Sequence, residues 1–344
     1  MPQSVQTASP TYPVAQQDYA IEDFQIDKLP RGRKQTGTLA IAPRVDGSQW
    51  QLPYLALTGT QHGPTLVVFA GVHGDEYEGM EAIPRVFHAL TPDQVRGQLI
   101  MVPVCNVPAY EAGTRSSPVD SLNLARVYPG DPTGTITQRI AYWTGQRLIS
   151  QSDFFIDLHS GNATSDIPTL IGYIHDAGEL GQRGLAGARA FGAPVLWGHP
   201  LPLPPGRTIS LATQLGIPAL YTETPGGGRA RPSDVDCYAQ GVHNVMCHLG
   251  MLAGAPKPRP TTHHLVGDGN LDAIITTPAA GRFMPYVDLL DAVDAGQIVG
   301  EIHDAYGNVV MPLHADRAGV IILLRRERRV HVGDGVIQIT GIVP

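Results

Sequence analysis

The 344-residue chain is poor in cysteine, lysine and aromatic residues, and it has no long apolar run. Its three cysteines, Cys105, Cys237 and Cys247, show neither framework spacing nor a CxxC pair. No disulfide framework is expected, and the thiols read as reduced ones in a cytoplasmic protein. Lysine occurs only at 28, 34 and 257, so arginine supplies most of the positive charge. With a net charge of −7 and no dominant basic patch, nucleic acid is not an expected partner. No segment approaches the ~18 apolar residues of a membrane span, and Met1–Gln17 lacks the apolar core of a signal peptide. A Gly-x-Ser-x-Gly element is missing too, which disfavours a serine nucleophile.

Apolar residues nevertheless make up 42% of the chain, enough for one large domain and a smaller one. The most informative stretch starts with Thr65-Leu66-Val67-Val68-Phe69-Ala70, a run that reads as a buried strand. It ends in Gly71-Val72-His73-Gly74-Asp75-Glu76. From there Met80, Ile83, Val86, Phe87 and Leu90 recur at helical spacing, which predicts a helix to about Leu90. Glu76, Glu78 and Glu81 enrich its first turns in acid, suiting the positive end of the helix dipole. Two later segments share this architecture. Phe154-Phe155-Ile156-Asp157-Leu158 ends in His159, and Pro218-Ala219-Leu220-Tyr221-Thr222 ends in Glu223 before a glycine-rich turn.

Thirteen histidines and nine glutamates in 344 residues give roughly 0.3 His-x-x-Glu pairs by chance, so the spacing decides nothing without its context. The context is three apolar strands that each deliver a polar group at the carboxyl end, where open α/β sheets gather ligands. Two His and one Glu (His73, Glu76 and His159) make a common catalytic zinc set with a fourth position left for water. Glu223 is then the candidate general base. Imidazole ligands favour zinc over magnesium. Asp157 lies two residues before His159, on the same strand face, where it either orients a zinc histidine from behind or caps a neighbouring backbone group. Arg207, in Pro205-Gly206-Arg207-Thr208-Ile209, is a candidate fork for a substrate carboxylate.

Gly-x-His-Gly-Asp-Glu, Asp-Leu-His-Ser-Gly and a strand ending in Glu before a glycine-rich turn resemble the succinylglutamate desuccinylase/aspartoacylase family, which belongs with the zinc carboxypeptidases. The likeness spans roughly Thr65 to Gly228. It implies a zinc-carboxypeptidase-like mixed α/β sheet flanked by helices and one zinc ion per chain on His73, Glu76 and His159. It implies Glu223 as base and Arg115, in Asn106–Arg115, as the group that polarises the scissile carbonyl. Arg126 matches the family's carboxylate-gripping arginine, but Ala125 stands where an asparagine is usual, so one amide donor is lost.

Strand and helix patterns alternate from about 64 to 250, which predicts an α/β sheet covered on both faces. Gly37–Ala42 and Trp50–Leu57 read as opening strands, Gly134–Ser150 and Ser233–Leu252 as helices. Residues 1–20 read as a flexible arm, 21–253 as the hydrolase domain, 254–260 as a Pro-rich linker and 261–344 as a smaller all-β domain. That domain contains a duplication: Val293-x-x-Gly296-Gln297-x-Val299-x-x-Ile302 matches Val330-x-x-Gly333-Asp334-x-Val336-x-x-Ile339, with Gly281 and Gly319 ahead of the copies. It resembles the β sandwich of lipoyl and biotinyl carriers, yet no lysine follows Lys257 to accept a group. The Arg325–Arg329 tract reads as a solvated strand or hairpin face. His243, His248, His303, His314 and His331 read as structural.

The function expected is a zinc amidohydrolase that removes an acyl group from an N-acyl amino acid or related small amide. Rival readings are a metallocarboxypeptidase acting on peptide C-termini and a small-molecule-binding protein that keeps the fold without turnover. A small acylated substrate and a possible homo-oligomer are the expected partners.

Overall fold

In the Gln61–Ala70 strand, Leu66, Val68 and Ala70 turn to one side and Val67 and Phe69 to the other. All five are fully buried, because successive strand side chains point to opposite faces and both faces are covered. The computed structural model describes residues 12–175, 178–270 and 274–342. It places this strand inside a mixed sheet of order Arg33–Pro43, Gln49–Thr58, Arg96–Val102, Gln61–Ala70, Phe154–Leu158, Ala219–Glu223, Leu170–Ile174, Val195–His199 and His263–Val266. Helices Glu78–Ala89, Gly178–Phe191 and Pro232–His248 cover one face. Helices Ile136–Arg147 and Thr208–Gln214 cover the other. No helix among the described residues is long and apolar enough to cross a membrane.

Register decides where the functional ends fall. Phe154–Leu158 lies between Gln61–Ala70 and Ala219–Glu223 and is parallel to both. Leu158 pairs with Ala70 on one side and Thr222 on the other. The three chains therefore leave the sheet level with one another, at Gly71, His159 and Glu223. With strands ~4.8 Å apart, their side chains meet at one rim.

The arm expected over residues 1–20 lies outside the described residues up to 11, and the rest of it is held. Val14–Gln16 and Tyr19–Ala20 pair in parallel with Arg33–Pro43. Tyr19 packs on Phe24 and Tyr54, and the Tyr54 hydroxyl donates to Gln17 O at 2.8 Å. Strands of three and two residues are too short to show a period, which is why composition alone suggested a loose arm.

The Pro-rich 254–260 segment contains no helix or strand. Beyond it, His263–Val266 joins the edge of the central sheet beside Val195–His199 and then pairs with Gly335–Ile342. The sheet thus runs on into the C-terminal strands. The duplication is visible in space: Val293, Val299 and Ile302 share one buried core with Val330, Val336 and Ile339. Gly296 and Gly333 both turn with positive φ, +82° and +89°, where a side chain would be strained. Each copy lends its short strand to the other: Ala292–Val293 pairs with Gly319–Arg325, and Arg329–Val330 with Gly281–Pro285. Neither half can bury its apolar face alone.

Gly79 in helix Glu78–Ala89 tests the helix-on-sheet packing. Gly→Ala in an exposed helix gains up to about 1 kcal/mol. Here a Cβ would meet Leu158 Cβ at 2.7 Å and Ala70 Cβ at 2.8 Å. Gly79→Ala should therefore cost about 1–3 kcal/mol, seen as a lower urea midpoint at unchanged slope. A raised midpoint would contradict the packing.

Candidate active site

His73 and Glu76 sit in the turn between Gln61–Ala70 and Glu78–Ala89. The helix begins two residues later than the acid-rich pattern suggested, so Glu76 belongs to the turn and its carboxylate folds back over His73. The turn is held from behind. Asn106 donates from Nδ2 to Val72 O at 3.2 Å and from its backbone N–H to Gly71 O at 2.8 Å, and Gly74 N–H donates to Thr114 O at 3.0 Å. His159 follows directly on Phe154–Leu158, and Glu223 closes Ala219–Glu223.

These placements bring His73 Nδ1 to 2.7 Å from Glu76 Oε1 and His159 Nδ1 to 2.9 Å from Glu76 Oε2. The two Nδ1 atoms are 3.2 Å apart, and all three side chains are buried. The outer nitrogens have partners too. Asn123 Oδ1 accepts from Ala125 N–H at 2.9 Å and lies 3.1 Å from His73 Nε2. Asp157 Oδ2 accepts from the Thr208 hydroxyl at 2.5 Å and lies 3.0 Å from His159 Nε2. Each ring thus has an oxygen at both nitrogens, and the outer one can hold the ring proton when the inner nitrogen binds a cation.

Two imidazole nitrogens and two carboxylate oxygens thus converge on one buried point. The titration shifts distinguish the two rings. Burial, then Arg115, lowers the His73 pKa to about 4, so this ring stays neutral. Burial opposes charge on His159 as well, but Asp157 and Glu76 outweigh it and raise its pKa well above the ordinary value. Burial also opposes the Glu76 carboxylate, yet His73 and His159 outweigh it and hold its pKa well below the usual range. Among the described residues, His73, Glu76 and His159 form the one group of this kind that could hold a metal ion. Their donor set fits a borderline divalent cation.

Glu223 is buried beside this group, with Oε2 lacking a hydrogen-bond partner. Burial first, and then the Glu76 charge, push its pKa up to about 8. Arg115 donates from Nη1 to Glu76 Oε1 at 2.9 Å and lines the pocket above the cluster. That pocket, about 610 Å³ with its open mouth, brings together His73, Arg115, Arg126, His159, Arg207 and Glu223. Arg126 donates to Ala125 O at 3.0 Å and Arg207 to Asn270 Oδ1 at 3.3 Å. Ala125 is buried and lies on the pocket wall. A second, more polar hollow shares Arg115, Arg126 and Glu223 and is walled by Asn162 and Arg325, so the C-terminal strands close one side of the site.

Several residues here escaped the motif reading. Asn123 caps the turn Leu124–Arg126 and faces His73, a signal that an Asn two residues before Ala125 could have raised. Thr208 holds Asp157. The Tyr238 hydroxyl donates to the carbonyl of His159 from the last helix of the sheet domain. His199 and Tyr221 stack at 19° on the pocket wall, joined by a 2.9 Å hydrogen bond. Tyr221 could have been found by its position two residues before Glu223, on the same strand face.

The model of the succinylglutamate desuccinylase/aspartoacylase catalytic domain matches residues 62–249. A similar curated protein is the N-alpha-acetyl-L-2,4-diaminobutyric acid deacetylase of Halomonas elongata, 32% identical over 94% of this chain and 95% of the relative. A succinylglutamate desuccinylase/aspartoacylase structure from Rhodobacter sphaeroides is 30% identical, with a TM-score of 0.83 over 94% of this chain and 98% of that one. The product-bound ectoine utilization protein of Ruegeria pomeroyi is 28% identical, with a TM-score of 0.81 over 91% of this chain and 98% of that one.

The raised Glu223 pKa makes a stability prediction for chelated protein. A carboxyl group that binds its proton more tightly when folded contributes stability fully below its unfolded pKa of about 4.5, and that contribution is lost as pH rises through about 8. Glu223→Gln should leave Tm nearly unchanged at pH 5 and raise it at pH 9. An equal Tm difference at both pH values would remove the burial argument.

Proposed function

The chain belongs to the succinylglutamate desuccinylase/aspartoacylase family, and from that premise we propose that it is a zinc-dependent amidohydrolase that removes the acyl group from an N-acyl amino acid or a related small amide. The observation that carries this reading is the convergence of metal-ligating atoms of His73, Glu76 and His159 at one point, with Glu223 buried alongside. In this reading the three residues hold one zinc ion per chain. Zinc in such a set supplies a Lewis acid that acidifies water and polarises a carbonyl.

The protein's own groups supply the rest. Glu223 takes the proton from the attacking water and returns it to the leaving amine. A buried carboxylate with one oxygen lacking a hydrogen-bond partner is placed to do both. Arg115 is braced on Glu76 and keeps further N–H donors for the oxyanion that develops on the scissile carbonyl. Asp157 and Asn123 fix the protons of His159 and His73 on their outer nitrogens, which keeps the inner lone pairs available. Arg126 and Arg207 hold the substrate carboxylate, while Ala125, Leu203, Pro204 and Ile209 provide an apolar wall for a short acyl group. The Halomonas relative is a deacetylase of an acetylated diamino acid, so small acetylated amino acids are the first substrates to test.

Hydrolysis of a panel of N-acylated amino acids, with blocked peptides alongside, checks the reading. Free amine should appear from the small acylated amino acids. Glu223→Gln should keep the metal and lose about 10²–10⁴-fold in kcat, whereas His73→Ala or His159→Ala should lose the metal itself. Full activity in Glu223→Gln would remove the glutamate from the reaction.

A further inference from the structure

The arginine tract at 325–329 is a solvated face only at Arg328 and Arg329, whereas Arg325 and Arg326 are partly buried. Arg325 closes the Gly319–Arg325 strand, and that strand pairs with Ser165–Asp166 of the hydrolase domain. Arg326 then turns back into the molecule, its side chain only 23% exposed. Its Nη1 donates to Asn162 O at 3.2 Å, and its Nη2 to Asp166 Oδ1 at 2.5 Å and to Pro225 O. Its backbone N–H donates to Thr164 O at 2.8 Å. Asn162 lies three residues beyond His159, and Pro225 two beyond Glu223. One guanidinium therefore bridges the loop that leaves the metal ligand and the loop that leaves the candidate base. The two loops also hold each other, Gly161 N–H to Thr224 O and Gly227 N–H to Gly161 O, both at 2.8 Å.

Gly227 provides independent support. A Cβ there would lie 1.8 Å from Arg326 Nη1, so the backbone is bare where the guanidinium passes. A planar fork with donors along two edges suits three acceptors on two segments, which a lysine's single point charge does not.

We propose that Arg326 is a positioning residue for the hydrolysis. Through it the C-terminal β domain holds the His159 and Glu223 loops in register, so that base and metal set keep their mutual placement. The inference rests on the deacylase reading above. Reacting groups displaced by ~1 Å can cost about 100-fold in rate, so a loosened bridge should appear in kcat.

The test compares Arg326→Ala and the milder Arg326→Gln with wild type and with Arg329→Ala, an exposed neighbour outside the bridge. The measurements are kcat and KM per metal-loaded chain and amide exchange at Gly161 and Gly227. Arg326→Gln should lower kcat about 10- to 100-fold with KM changed far less, and exchange at both glycines should accelerate. Arg329→Ala should match wild type. If Arg326→Ala does not fold, Arg326→Gln decides alone. Wild-type kcat per metal-loaded chain in Arg326→Gln overturns the proposal while the deacylase reading stands. A wild-type protein that hydrolyses no acylated amino acid defeats the deacylase reading and this inference with it.

Discussion

Four polar atoms that can ligate a cation share one buried point: Nδ1 of His73, Nδ1 of His159 and the two oxygens of Glu76. Such a gathering is costly unless a positive charge sits among them. Burial keeps His73 neutral, while against the cost of burial Asp157 and Glu76 favour the charged form of His159, which supplies part of that charge. Arg115 balances one carboxylate oxygen from the rim.

The sheet makes this convergence possible. Three parallel neighbours end level, so one turn and two strand ends meet without any long loop. Asn106 holds the turn, the Tyr238 hydroxyl holds the His159 carbonyl, and Arg326 ties the two later loops together. The catalytic rim is thus fixed from the sheet, from a covering helix and from the C-terminal β strands. The central sheet runs on into C-terminal strands, while Val309–His314, Ile298–His303, Gly281–Pro285 and Arg329–Val330 form a separate four-stranded sheet, and the second wall of the site comes from beyond the Pro-rich segment.

Much of this was legible in the residues because burial on both faces writes continuous apolar runs. Thr65–Ala70 and Phe154–Leu158 announced themselves, and each led straight to a ligand. The duplicated Val-x-x-Gly pattern was legible too, since both copies bury the same positions in one core. What stayed hidden was contact at a distance. Nothing in the spacing of Asn123 or Thr208 shows which residue 50 or so positions away it will face. The arginine tract looked solvated because its last members, Arg328 and Arg329, are; only the fold reveals that Arg325 and Arg326 turn inward. Short strands at 14–16 and 19–20 were invisible because two or three residues cannot display a period.

The most direct measurement of the central claim is a zinc titration of chelated protein, following hydrolysis of an acetylated amino acid as the ion is returned. The account predicts no activity without metal, a linear rise to one zinc per chain, and a plateau thereafter. Undiminished hydrolysis after exhaustive chelation would contradict it.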